Sequence, residues 1–170
     1  MTLALHQDLL RQARHLAKNE PRRPKQASLR RAISAAYYAL FHLLIGEVTS
    51  RFVTGQDREA IRAGLGRALN HTTMKEASRE TVKLNWGRMR QLHGIVIPAD
   101  LISVATAFVD LQQARHEADY DVVRTFTRQE TLTLIDQVEQ AMTAWNSVRR
   151  SIAADAYLSS LIAFGGMCRA

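Results

Sequence analysis

Arg31, Ser34, Tyr38 and His42 recur at intervals of three or four residues. On an α-helix that spacing puts all four along one stripe. A second set stands far away in the chain, within QQARHEADYD, where Arg115 and Asp119 are four apart and Tyr120 and Asp121 follow. A planar guanidinium pairs bidentately with phosphate. Imidazole is the side chain that takes and gives protons near neutral pH. If the two sets meet, the chemistry they suit is the holding of a phosphodiester. Its metal-free cleavage needs a base for the 2′-hydroxyl, an acid for the leaving oxygen and a cation for the phosphorane. A plainer alternative stands beside this one. Tyr38 packs its ring, His42 makes one hydrogen bond, Arg31 is solvated, and Arg115 and Asp119 form an ordinary ion pair worth a few tenths of a kcal/mol.

These residues need elements to position them, and the helical period organises the chain. No sustained alternation rich in β-branched residues competes with it. Leu5, Leu9, Ala13 and Leu16 predict a first helix from about Leu3 to Lys18, stopped by Asn19-Glu20-Pro21. After the basic loop PRRPKQ, a central helix runs from Gln26 or Ser28 to about Phe52, with Ile33, Tyr37, Leu40, Leu44 and Val48 as its apolar stripe. Gly64 and Gly66 predict a short or broken helix between Gln56 and Leu69, because each costs about 1 kcal/mol relative to alanine. Thr73 to Met89 is helix-compatible, and Pro98 with Asp100 opens a helix ending near Tyr120. Thr127 and Glu130 form a capping box for a last long helix with Leu132, Ile135, Val138, Met142 and Trp145 on its stripe. The apolar tail from Ala153 to Phe164 needs a surface, which a second copy of the chain could supply. The expected architecture is all-α, a four- to six-helix antiparallel bundle. It is read as one domain over residues 1–170, with its core at about 27–145 and a helical extension over 146–170.

Composition narrows the field. The chain has 170 residues, 46% hydrophobic and 23% charged, with three prolines and eight glycines, which excludes disordered, collagenous and disulfide-built classes. At this length a chain buries roughly 70% of its unfolded surface, enough for a core without staples. The lone cysteine, Cys168, fits a reducing compartment, and Asp8 and Arg11 interrupt what a signal peptide would need as an apolar stretch. A soluble, cytoplasmic protein without a membrane partner is the expectation, since the longest apolar runs fall short of the roughly 20 residues that cross a bilayer. The formal charge of +7 favours polyanionic partners.

The pair LRRAISAAYYALFHLL and ARHEADYD resembles the HEPN domain, a small helical domain. The closest likeness is to its bacterial subgroup, in which a Ser/Ala-x-Ala-Tyr-Tyr-Ala-x-Phe-His helix is followed by Arg-x-x-Ala-Asp-Tyr. The match lies at Ala36 to Ala39, Phe41, His42, Arg115, Ala118, Asp119 and Tyr120, and spans residues 27 to 145 in order and spacing. This resemblance implies a bundle of four or five helices that pairs as a homodimer, the arginine motifs of both copies facing one cleft. Many members are metal-independent ribonucleases, often toxins of toxin-antitoxin or antiphage systems, with an active motif of Arg, four to six residues, then His. Here the chain departs. Positions 120, 121 and 122 hold Tyr, Asp and Val. A phenol titrates near pH 10 and is a poor base at neutrality. His116 points about 100° from Arg115 on a helix, so His42 is the better substitute.

Two readings follow. In the first, the protein is RNA-associated, with Arg115, His42 and Tyr120 as candidate catalytic groups and Arg31, Tyr38 and Asp119 as RNA contacts. In the second, it is a non-catalytic dimerising module that recruits a partner such as a nucleotidyltransferase or an antitoxin, Asp119 pairing with Arg115 and Tyr120 capping the fold. Arg88 and His93 match the Arg-to-His spacing literally, but they precede Gly94 rather than the last helix and read as coincidence. No metal is expected, because no His-x-x-x-His, Glu-x-x-His or cysteine cluster occurs. No cofactor is expected either, the glycines lacking a phosphate-loop context. Trp86 and Trp145 read as core or dimer-contact aromatics, and His71 is given no role.

Overall fold

The helical period does organise the chain. The computed structural model describes residues 4–86 and 94–167, and among these it has seven helices and no strand. They are α1 (Leu5–Lys18), α2 (Gln26–Phe52), α3 (Glu59–Ala68), α4 (His71–Val82), α5 (Ala99–Tyr120), α6 (Arg128–Val148) and α7 (Ile152–Met167). Arg88, His93 and Cys168 lie outside the described residues. The chain divides into two compact units, one of Met1–His42 with Ala107–Thr143, the other of Leu43–Thr106 with Ala144–Ala170.

The first unit holds α1, α2 through His42, α5 from Ala107, and most of α6. Leu29, Ile33, Ala118 and Phe126 form a buried cluster with Ala114 and Leu134 against it, and this fixes the register of α2 on α5. Polar groups close its ends. Gln26 and Phe126 exchange two amide hydrogen bonds, Nε2 to O at 2.8 Å and N to Oε1 at 2.9 Å. Arg14 on α1 reaches Asp136 at 2.8 Å and Glu139 at 2.6 Å on α6.

The capping box is present. The Thr127 amide donates to Glu130 Oε2 at 2.7 Å and the Glu130 amide to Thr127 Oγ1 at 3.1 Å. These bonds, with Arg124 beside the carboxylate, lower the Glu130 pKa to about 2. A carboxyl whose folded pKa is depressed adds stability above its unfolded pKa and loses that contribution as pH falls through the folded one. Replacing Glu130 with glutamine will therefore flatten the fall in melting temperature between about pH 4.5 and 2. Melting curves for both proteins across that range test this, and parallel curves would contradict it.

In the second unit α4 and α7 pack together. Ser78 on α4 and Tyr157 on α7 share a hydrogen bond at 2.8 Å, both buried. The Tyr157 pKa is raised by this burial. The apolar tail, expected as an extension in search of a second copy, thus folds into a helix of its own and buries Ala153, Leu158 and Leu161 within the chain. Helix α3 survives its glycines. A Cβ on Gly66 would stand 3.3 Å from Ile45 Cγ2, so the missing side chain admits α2 and offsets part of the propensity cost. Helix α4 ends in a Schellman motif, with Asn85 N–H on Glu80 O at 2.9 Å, Leu84 N–H on Thr81 O at 3.0 Å, and Leu84 left-handed at φ 56°. Trp86 and Trp145 are both buried, and Trp86 Nε1 donates to Thr81 Oγ1 at 3.0 Å.

Among the described helices, α2 alone meets the length and apolarity needed to cross a bilayer. Of that apolar window, 67% is buried inside the chain, as in a core helix. Among the described residues no three His, Cys, Asp or Glu side chains gather into a metal-binding group.

Candidate functional site

Helix α2 buries Ala32, Ile33, Ala36, Tyr37 and Leu40, which leaves Arg31, Ser34, Tyr38 and His42 on the adjoining stripe. Helix α5 buries Leu111 and Ala118 and turns Arg115 and Asp119 the same way. The shared cluster sets these faces against each other, so that residues far apart in sequence meet within the first unit.

The meeting point is Arg115. Its Nε lies 2.7 Å from Asp119 Oδ2. That nitrogen nonetheless has no aligned acceptor, so the contact is an ion pair rather than a directed hydrogen bond. Nη2 donates to the Tyr38 hydroxyl at 3.3 Å. Among the described residues no acceptor meets the Nη1 hydrogens. The guanidinium carbon sits 5.6 Å from the centre of the Tyr38 ring and 5.8 Å from that of Tyr120, within cation–π range of both. Asp119 is held in turn by Ser34, whose hydroxyl donates to Oδ1 at 2.7 Å. A buried serine thus fixes a carboxylate, and the carboxylate fixes an arginine whose side chain keeps 19% of its surface in solvent.

Tyr120 does not cap the fold, because 63% of it is exposed. Its ring centre lies 5.0 Å from that of His116, and both rings line an open depression of about 560 Å³ with Gln113, Glu117, Asp121 and Arg124. Arg124 is shared between Glu130 at 2.9 Å and Glu117 at 3.6 Å. Between Asp121 and Arg124 in the chain, Val122 and Val123 are both exposed.

The structure brings together Arg115, Tyr38, Asp119 and Tyr120, with Ser34 behind them. His42 stands one turn along from Tyr38, ring centres 6.2 Å apart, with Phe41 at 5.6 Å. Burial pushes its pKa below the ordinary value, and the neighbouring His6 adds to the effect. No described contact joins His42 to Arg115. Arg31 is exposed and makes no hydrogen bond or ion pair among the described residues.

Arg30 is the residue the spacing argument passed over. It lies three before Ile33 and seven before Tyr37, which puts it on the apolar stripe itself, and an arginine there must be paired. Its Nη1 donates to Ala118 O at 2.8 Å and Glu117 O at 3.4 Å. Nη2 donates to Asp121 O at 2.8 Å and also to Arg124 O. Arg30 therefore closes the C-terminus of α5, whose last turns carry Arg115, Asp119 and Tyr120. The chain matches no family model, no curated protein and no solved structure.

Proposed function

We propose that the first unit is a HEPN-like RNA-binding module in which Arg115 grips a backbone phosphate. The observation that carries this is the orientation of the guanidinium. Asp119 and Ser34 hold one edge and Tyr38 and Tyr120 flank it, while among the described residues Nη1 meets no acceptor. Pre-oriented arginine loses little freedom when it binds an anion. Arg31 lies one turn before Ser34 on the same helix face and adds a second cation. The rings of Tyr120 and His116 offer stacking surface for an unpaired base beside the phosphate.

Cleavage is a further step on the same site. Arg115 can stabilise a phosphorane, and His42, whose pKa burial lowers toward the form that accepts a proton, stands one helical turn from the tyrosine that touches Arg115. The non-catalytic reading has its own support in Val122 and Val123, which leave an apolar edge beside the depression for a protein partner.

A titration of labelled single-stranded RNA with the protein at several salt concentrations tests the proposal. Binding that weakens linearly in log Kd against log salt is expected for phosphate contacts. Absence of binding at low salt overturns it.

A further inference from the structure

Six cations lie between residues 18 and 31, namely Lys18, Arg22, Arg23, Lys25, Arg30 and Arg31, and the stretch contains one carboxylate, Glu20. Arg30 is consumed by the carbonyls at the end of α5. The remaining five are exposed. Elsewhere in the first unit every arginine is engaged: Arg11, Arg14, Arg115 and Arg124 by carboxylates, Arg128 by carbonyls. Arg22, Arg23 and Arg31 have no hydrogen-bond or ion-pair partner among the described residues, so the unpaired arginines of this unit sit in one loop and the helix turn after it.

The loop is held in shape. Arg128 on α6 donates to the carbonyls of Ala17 at 3.1 Å and Pro21 at 2.8 Å, and also to that of Glu20. The Glu20 carboxylate accepts from Ser28 Oγ at 2.9 Å and from the Lys25 amide at 3.5 Å, which adds to the bracing of the loop. Its pKa is lowered by these bonds and by the nearby charge of Lys25. Five exposed cations against one carboxylate on a fixed loop leave a concentrated positive field facing water.

We infer that Lys18, Arg22, Arg23 and Lys25 form a second backbone-docking surface for RNA, continuous through Arg31 with the Arg115 site. The identity of the polyanion rests on the function proposed above. Along α2 the distance from Gln26 to Tyr38 is about 18 Å at 1.5 Å per residue, so one strand of several nucleotides reaches both. An anionic membrane is the other polyanion such a patch could meet. A membrane-docking segment carries apolar side chains beside its cations, and no large exposed hydrophobic residue lies between 18 and 31.

The experiment compares the wild-type chain with the triple variant Arg22→Ala, Arg23→Ala, Lys25→Ala and with Arg115→Ala, using labelled single-stranded RNA over a range of salt. The triple variant should bind roughly tenfold more weakly and lose about two units from the log Kd against log salt slope, three phosphate contacts at about 0.7 each. Lysine at positions 22 and 23 in place of alanine should restore most of the affinity, since charge and not a specific side chain is at work. If the triple variant binds as the wild type does while Arg115→Ala binds poorly, the docking surface is overturned and the Arg115 site stands. If only the triple variant is weakened, the docking surface stands and the Arg115 site fails. Sedimentation with vesicles of phosphatidylserine and phosphatidylcholine, with no RNA bound at low salt, overturns the inference in favour of a membrane.

Discussion

Arg30→Ala is expected to lower stability by about 3 kcal/mol, whereas Arg31→Ala next to it should change it by no more than about 0.5 kcal/mol. The two side chains leave the same turn of α2 about 100° apart. That rotation sends Arg30 to the end of α5 and Arg31 into water. Arg30 donates to the carbonyls of Glu117 and Ala118 in the last turn of α5 and to those of Asp121 and Arg124 in the connection after it, so it satisfies acceptors where the helix ladder runs out. Its guanidinium also lies 5.6 Å from the centre of the buried Phe126 ring, and Arg124 approaches the same ring at 4.8 Å. Truncation removes charged hydrogen bonds and uncovers part of Phe126 together. Lysine at position 30 should recover less than half of the loss, because an ammonium cannot fork across several carbonyls in one plane. Urea denaturation of the three variants measures this, and equal losses at positions 30 and 31 would remove Arg30 from its place in the fold. RNA affinity should fall with Arg30→Ala as well, since the turn it closes carries Tyr120.

The contrast between these neighbours shows where the sequence is informative and where it is silent. Helix bounds were legible wherever the stop or start signal is local: Asn19 to Pro21 after α1, Pro98 before α5, and Thr127 with Glu130 before α6. The α7 helix was not legible as a partner of α4. Nothing within Ala153 to Phe164 names the surface that covers it, and the Ser78–Tyr157 bond joins positions 79 residues apart. The α3 glycines were legible as the mark of a short helix, which runs from Glu59 to Ala68, but only the nearby Ile45 side chain explains why a glycine stands at position 66. At the site, the Arg115–Asp119 pair follows from helical spacing alone. That Ser34 would fix Asp119 and that Tyr38 would meet Arg115 depended on the register of α2 against α5, which is set by Leu29, Ile33 and Ala118 and is visible only in three dimensions. Arg30 was legible in principle, since extending the apolar stripe backward from Ile33 arrives at it.

Arg115→Ala should weaken RNA binding at least tenfold, about 1.4 kcal/mol or more at 25 °C, and leave stability within about 1 kcal/mol of wild type. The asymmetry comes from what remains after truncation. Asp119 keeps the Ser34 hydroxyl on Oδ1, and its side chain retains 29% of its surface in water, so the carboxylate is not stranded in an apolar interior. Tyr38 loses a long hydrogen bond of 3.3 Å, and its half-buried ring keeps its edge contact with Tyr37 at 5.3 Å. The bound phosphate, in contrast, loses the guanidinium directly. Ser34→Ala separates positioning from binding: Arg115 remains but its orienting carboxylate is released, so affinity should fall by a smaller factor than in Arg115→Ala, with little change in the salt slope. A stability loss of about 3 kcal/mol or more in Arg115→Ala, with RNA affinity unchanged, would show that the arginine, the aspartate and the serine form an internal brace. The exposed Tyr120 and Val122 would then be left as a surface for protein contacts alone.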